Sequence, residues 1–478
     1  MTVSISTLLD RLGAEAPSPP PEGDLSVLVE HITNDSRNVR NGSLFCAIAG
    51  LGSDGHDFIQ AAADAGAVAA VVERRVDVDL AQLVVADTRL WTGWLSASLE
   101  NQPSKGLDVV GVTGTNGKTS IVTLVEHIAE ACGAKAGSMG TLTGSLTTAA
   151  APEFQRALSE QREQGRRVVA AEISSHALDQ ERVAGTHFSV AVFSNLSQDH
   201  LDYHPSMEDY FSAKARLFEP GLSAHAVIDT SDAWGQRLAD MVSIPTSQVA
   251  GDEIARAAEL SAAGSTFTWR EFDVVLPLGG RFGVVNAVLA AEACVALGFA
   301  PADIATALGS APQIPGRFEL IDLGQDFGVL IDYSHTPASV AAAVASARDI
   351  ASNRVLLVFG AAGDRDPGKR PLMGEAASSA DRLYITSDNP RSEDPDQIIA
   401  AVREGVTPNH EDADSVLAMV DRRAAIHAAV ADACEGDVVI IAGKGHEDYQ
   451  IIGNTRLDFD DRVVARDALT AAGWGLDA

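Results

Sequence analysis

Residues 107–119 read LDVVGVTGTNGKT. An apolar run ending in glycine, then a glycine-bearing turn, a lysine and a threonine, can make a phosphate site. Glycines let backbone N–H groups turn inward around phosphate oxygens, and the start of a following helix adds its positive end. Lys118 can then reach the β- and γ-phosphates, and Thr119 can offer its hydroxyl to Mg²⁺. The longer GxxxxGK[ST] spacing is not met, because Val112 stands where its first glycine belongs. The alternative is a structural strand–turn–helix with an incidental lysine. Lysine is scarce, however: Lys105, Lys118, Lys135, Lys214, Lys369 and Lys444 are the only six among 35 basic residues. A lysine kept where arginine is the default cation is a candidate for a role that needs a compact ammonium or a modifiable amine.

The elements around the loop have the pattern of a parallel α/β sheet. Apolar runs at 107–114, 166–174, 188–196 and 224–230 alternate with helical stretches, the first from Lys118 to Cys132, as in sheets covered on both faces. An earlier, smaller α/β unit begins near Leu44 and ends with a helix over 90–99, and ENQPSKG is a linker. The stretch 266–279 alternates and predicts an antiparallel hairpin, followed by a helix from Val284 to Leu297. A Pro/Gly break, QIPGRFE, opens a third, Rossmann-like series. The expected fold is α/β in three domains, at 1–98, 99–314 and 315–478.

Composition narrows the chemistry. The chain has 478 residues, 46% hydrophobic and 21% charged, which is enough to bury cores. Asp plus Glu is 66 against 35 Lys plus Arg, a net charge of −31 that argues against nucleic acid and anionic lipid as partners. Any anionic ligand must be held by local cations and backbone N–H groups. Cys46, Cys132, Cys294 and Cys434 lie far apart with no CxxC spacing, so neither a zinc site nor a disulfide framework is expected. No run of apolar residues reaches membrane-spanning length and the N-terminus lacks signal-peptide features, so a cytoplasmic protein is expected.

Further segments carry a resemblance. They are NDSR at 34–37, EISSHALDQER at 172–182, FSNLSQDHLDYH at 193–204 and AKARLF at 213–218. After these come PGRFE at 315–319, DYSHTP at 332–337, GDRDPGKRPLMG at 363–374, SDNPR at 387–391 and GKGHEDYQ at 443–450. With GTNGKT, and in this order from about residue 25 to about 466, they resemble the Mur ligases; folylpolyglutamate synthetases share the loop. The resemblance implies an ATP-dependent amide ligase of peptidoglycan precursor synthesis, working as a monomer. ATP phosphorylates a substrate carboxylate, an amine attacks the acyl phosphate, and phosphate leaves.

By that resemblance, Lys118, Glu172, His200 and Lys214 are the catalytic set. Thr119, Glu172, His200 and Lys214, the last as a CO₂-derived carbamate, are the ligands expected for two Mg²⁺ ions. Taken alone, His200 reads more readily as a strand-end histidine bonded to backbone than as a ligand, and the resemblance reverses that. Gly114, Thr115, Asn116, Gly117, Lys118, Thr119, Ser120, Asn286, Arg317, Asp332 and His335 would hold ATP. Ser36, Arg37, His56, Thr147, Thr148, Ser174, Gln180 and Arg182 would hold UDP-N-acetylmuramoyl-L-alanyl-D-glutamate.

For the incoming amino acid the candidates are meso-diaminopimelate and L-lysine. Only the former carries a distal carboxylate beside its ammonium. Arg391 offers a planar two-pronged donor for that carboxylate, and Glu447 an anion for the ammonium. Arg365, Asp388, Asn389, Pro390 and Gly443 complete this pocket by resemblance, and SDNPR resembles the diaminopimelate-adding members. The chain departs from the family pattern at Leu146, Ala149, Ala150, Gly283 and Ala362. The rival readings are a lysine-adding or other Mur or folylpolyglutamate-type ligase, and a non-catalytic nucleotide-binding paralogue.

Overall fold

The computed structural model describes residues 2–50, 52–144, 146–407 and 415–475. Three parallel sheets follow one another along the chain. The first has four strands, His31–Thr33, Ser43–Cys46, Ala67–Val72 and Ala81–Val84, paired in sequence order. Its covering helix Thr88–Leu99 buries Trp91 and Leu95 inward and lies against Ala151–Glu163 of the next region. An antiparallel pair, Val3–Ser4 with Leu28–Val29, precedes it and has no counterpart in the sequence reading.

The second sheet orders its strands Thr246–Val249, Ala226–Asp229, Val190–Phe193, Asp108–Thr113, Val168–Glu172, Ala136–Met139, all parallel. The strand that feeds the glycine turn is therefore central, with Val109, Val110 and Val112 fully buried. Val112 pairs with Glu172, so two neighbouring strands end side by side at the carboxyl edge, where doubly wound sheets place ligands. Helix Lys118–Ala131 packs under helix Gly280–Ala296. The latter is apolar nearly all round and is accordingly buried. It begins four residues before the Val284 start read from the sequence, because Gly280 at φ +73° turns the chain directly into the first turn. The hairpin Ser265–Trp269 with Phe272–Leu276 is antiparallel, its residues alternately buried and exposed.

In the third sheet five parallel strands run in the order Gly328–Asp332, Val438–Ala442, Val355–Phe359, Arg382–Thr386, Val416–Met419, with Glu319–Leu320 antiparallel at the edge. The sheet is doubly wound and Rossmann-like, yet its first and last parallel strands are neighbours. That adjacency sets Asp332 beside Ala442 and carries the Gly443 N–H onto the Asp332 carbonyl at 3.1 Å. No helix among the described residues is long and apolar enough to cross a membrane, and all four cysteines are free.

Candidate active site

The turn after Asp108–Thr113 is a cradle of backbone. Gly117 caps helix Lys118–Ala131 at φ +90°, a conformation that favours glycine, and a Cβ there would come within 2.5 Å of the Asn286 Oδ1. The Asn116 N–H is oriented by the Asn195 side chain at 3.0 Å. Lys118 curls back over its own loop and donates to the carbonyls of Gly114 and Thr115, each at 2.8 Å. Burial pulls the Lys118 amine below its ordinary pKa, opposed by Glu172 and Asp199.

Lys214 converges on the same point. On helix Met207–Ala215 it is 1% exposed, and its Nζ also donates to the Gly114 carbonyl, at 2.8 Å. Burial, and then the neighbouring Lys118 charge, hold its amine well below the usual lysine range. The Glu172 carboxylate, 2% exposed, ends its strand facing the loop. It accepts from the Thr119 hydroxyl at 3.1 Å and from the Thr141 N–H at 2.8 Å. His200 sits in left-handed backbone at φ +55°, its Nε2 3.5 Å from the Asp199 carboxylate. Burial holds the imidazole below its ordinary pKa. For Asp199 burial pushes upward, but His200, His335, Lys118 and a backbone N–H outweigh it and keep the carboxylate ionised.

The third region closes onto this edge. Arg317 donates to the Thr119 hydroxyl at 3.1 Å and stacks 4.3 Å over the Tyr333 ring. The Asp332 carboxylate accepts from the backbone N–H groups of Phe318 and Ser334, both at 2.9 Å. His335 donates to the Tyr333 carbonyl at 2.8 Å. A cavity of about 290 Å³ is lined by Thr115–Ser120, Glu172, His200 and Lys214, with Asn286, Arg317, Asp332 and His335 across from them. Of the residues expected to hold ATP, only Gly114 stays out of the lining, its carbonyl being taken by the two lysines. The donor set suits Mg²⁺: a hydroxyl, a buried carboxylate and an imidazole face a space sized for phosphate. No group of three or more His, Cys, Asp or Glu gathers to hold a metal among the described residues, so phosphate oxygens and water would complete any coordination.

A second cavity, of about 890 Å³, opens between the first and second sheets. Gln180 and Arg182 line it, while Thr147 and Ser174 line the smaller one. Arg182 is locked by Gln180 Oε1 at 2.8 Å and the Thr148 carbonyl at 2.9 Å. Thr148 is 2% exposed and spends its hydroxyl on the Glu172 carbonyl at 2.8 Å. Ser36, Arg37 and His56 line neither cavity. Arg37 projects into solvent against Asp35. His56 is buried with both ring nitrogens in use: Nδ1 meets Asp54 at 2.7 Å and Nε2 accepts from the Glu73 N–H at 3.1 Å. Leu146 and Ala150, two of the departures, line the larger cavity, and Gly283 lines the smaller.

The residues expected to hold the amino acid form a separate cluster. Asn389 Nδ2 donates to Asp388 and to Glu447, both at 3.0 Å, and its Oδ1 accepts from the Ile451 N–H at 2.9 Å. Gly443, at φ +115°, leaves room for the Asp388 carboxylate, which a Cβ would meet at 2.5 Å. Arg391 sits at φ +52° and donates to the Gly363 carbonyl at 3.1 Å, with its backbone bridged to Ile452. Pro390 precedes it, with its carbonyl packed against Gly363. Arg365 is exposed on the loop after Val355–Phe359 and makes no contact with this cluster among the described residues' hydrogen bonds and ion pairs. Sequence reasoning did not single out Asp199, Asn195, Thr141 or Tyr333. Asp199 and Asn195 lay inside the 193–204 motif, Tyr333 in DYSHTP, whereas Thr141 had no local signal.

With this geometry in view, three family matches cover most of the chain: the Mur ligase family catalytic domain at 28–109, the Mur ligase middle domain at 112–294 and the Mur ligase glutamate ligase domain at 316–445. A UDP-N-acetylmuramoyl-L-alanyl-D-glutamate–2,6-diaminopimelate ligase of Geobacillus kaustophilus is 42% identical over 464 residues, 92% of this chain and 94% of that protein. A solved structure of a ligase of the same name matches with a TM-score of 0.69 at 34% identity, covering 98% of this chain and 99% of that one. The MurF ligase of Thermotoga maritima, solved in complex with ADP, shares the fold with a TM-score of 0.59 at 18% identity, over 93% of this chain and 97% of that one.

Proposed function

The chain belongs to the Mur ligase family, and from that premise we propose how its residues divide the work of an ATP-dependent ligase that adds meso-diaminopimelate to UDP-N-acetylmuramoyl-L-alanyl-D-glutamate. The observation that carries the proposal is convergence. The glycine turn, Glu172, His200 and Lys214 open onto one cavity with Arg317, Asp332 and His335, while the loop at 443–447 springs from the strand next to Asp332.

The three segments 1–98, 99–314 and 315–478 then have separate tasks: the first holds the UDP end, the second phosphorylates, the third brings the amino acid. Backbone N–H groups at 114–119 and the Lys118 ammonium align and neutralise the phosphates, as phosphoryl transfer requires. Released from the Gly114 and Thr115 carbonyls, Lys118 has the reach to follow the transferring phosphoryl. Thr119, Glu172 and His200 would hold Mg²⁺, which supplies charge neutralisation to the phosphoryl oxygens. Lys214 is suited to carbamylation: its depressed pKa leaves a neutral amine that adds to CO₂, losing one proton, and gives a carboxylate where an ammonium would repel metal. Arg182, Gln180, Thr147 and Ser174 line the path of the UDP-linked dipeptide toward the phosphates. Ser36 and Arg37 meet its uridine end from the rim, and His56 fixes the loop behind them. Arg391 and Glu447 take the distal carboxylate and ammonium of the amino acid, with Asp388, Asn389, Gly443 and Arg365 around them. The enzyme works as a cytoplasmic monomer.

The direct test is phosphate release from ATP in the presence of the UDP-linked dipeptide, with and without an amino acid. Release that rises with meso-diaminopimelate and not with L-lysine is the expected result. Equal response to both, or ATP hydrolysis indifferent to the dipeptide, would overturn the assignment.

A further inference from the structure

Behind the cluster of Asp388, Asn389 and Glu447 lies an ion pair sealed from solvent. Arg422 and Asp461 are the first residues of helices Arg422–Asp432 and Asp461–Ala471, and both side chains are 0% exposed. The guanidinium grips the carboxylate with two bonds, Nε to Oδ1 at 2.8 Å and Nη2 to Oδ2 at 2.6 Å. Two more of its donors go to backbone carbonyls: Nη2 to Ala442 at 2.9 Å and Nη1 to Ser387 at 3.4 Å. Those residues immediately precede Asp388 and Gly443, so one planar group ties together the two loops, 388–391 and 443–447, that build the pocket.

Charge gives the pair a further role. Burial alone would lower the Arg422 pKa, but Asp461, then Asp388 and Glu447, more than compensate, so all three carboxylates feel this cation. Lys444, also 0% exposed, bonds Glu447 at 3.1 Å and the Tyr449 carbonyl. With Arg391 left to the distal carboxylate, Asp388, Glu447 and Asp461 formally face Arg422 and Lys444, leaving one negative charge, the complement of one ammonium. Two well-packed apolar side chains would join these helices with less desolvation cost. They could not donate to the Ser387 and Ala442 carbonyls or set that charge balance.

We propose that Arg422, clamped by Asp461, is a positioning residue for the incoming amino acid: it fixes both pocket loops and tunes the pocket to a single distal ammonium. This rests on the reading of the cluster as the amino-acid site. The test uses the full chain and the double variant Arg422→Met/Asp461→Leu, which removes both charges at similar volume. Phosphate release gives KM for each of the three substrates. The expected result is a KM for diaminopimelate raised about tenfold or more, with the KM values for ATP and the UDP-linked dipeptide within about twofold of wild type. Arg422→Lys, which keeps the charge but loses the fork, falls between. If the double variant does not fold, Arg422→Lys decides alone: a selective rise in the diaminopimelate KM supports the proposal. An unchanged diaminopimelate KM in whichever variant folds, or a parallel rise in all three KM values, overturns it. Wild-type enzyme that ignores diaminopimelate refutes the functional reading itself, before any variant is compared.

Discussion

The proposed nucleotide end and the proposed amino-acid end of this molecule are built from different materials. At 114–119 the ligand-facing groups are backbone amides of one continuous turn, helped by a helix start and a lysine on the same turn. At the amino-acid end they are side chains from separate loops, held by one another: Asn389 spans Asp388 and Glu447, and Gln450 Nε2 steadies the Asp388 carbonyl at 2.8 Å. A backbone cradle suits what every turnover shares, the phosphates of ATP. A side-chain network can be exchanged residue by residue and so carries selectivity. Damage at the first end should therefore slow every reaction, whereas damage at the second should alter only which amino acid is used.

The largest effects belong to the nucleotide end. Lys214→Ala removes the amine from which a carbamate would form, and turnover should fall below detection while the melting temperature stays near wild type. Added short carboxylic acids should partly restore it by standing in for the lost carboxylate; no rescue at any concentration would count against carbamylation. Lys118→Ala should cost on the order of 10²-fold or more in kcat, as when a positioned charge opposite a developing one is removed. The KM for diaminopimelate should hardly change in that variant. A folded Lys118→Ala enzyme with near-normal turnover would erase the contrast drawn between the two ends.

At the amino-acid end, Arg391→Ala should act selectively. A buried charged hydrogen bond left unmade costs roughly 2–4 kcal/mol, or about 30- to 1000-fold in preference for diaminopimelate over lysine. Specificity constants for both amino acids in wild type and variant measure this directly. The ratio should shrink because diaminopimelate is used less well, with the ATP requirement unchanged. If the ratio holds constant, Arg391 is not the selector.

These two ends were unequally legible in the sequence. The nucleotide turn is one short stretch whose glycines, lysine and threonine declare their chemistry by spacing, and the strands on either side follow from apolar runs. His56 shows the limit: its residue type fits a ligand, yet folding gives both ring nitrogens to Asp54 and Glu73. Arg422 and Asp461 stand 39 positions apart, with nothing local to pair them. Only a sheet order that sets the strands ending at Thr386 and Ala442 on either side of Val355–Phe359, with two helix starts at the same edge, brings them together. The antiparallel pair Val3–Ser4 with Leu28–Val29 escaped for a related reason, since two-residue strands have no periodicity to read.

The smallest effect concerns pH, and it sharpens the contrast from the side of stability. His446, in the 443–450 loop, keeps its Nδ1 buried without a hydrogen-bond partner among the described residues. Burial first, and then the Arg317 and Arg462 guanidiniums, push its pKa down to about 4. In the unfolded chain a histidine titrates near 6.5. Between those values the unfolded chain binds a proton that the folded protein refuses, so stability falls as pH drops from about 6.5 toward 4 and is unaffected by His446 above that window. His31 in the first sheet, pushed to about 4 by burial and then by Arg40 and Arg156, adds in the same direction but touches neither end of the site. By pH 5 the His446 share should be about 1–2 kcal/mol, a shift of roughly 2–6 °C in the melting transition of the region that contains it. Melting curves of wild type and His446→Gln at pH 7 and pH 5 provide the check. The variant should lose less on acidification. Equal losses in both proteins would show that the fold accepts a proton at His446 freely, against the unpartnered, cation-flanked environment seen here.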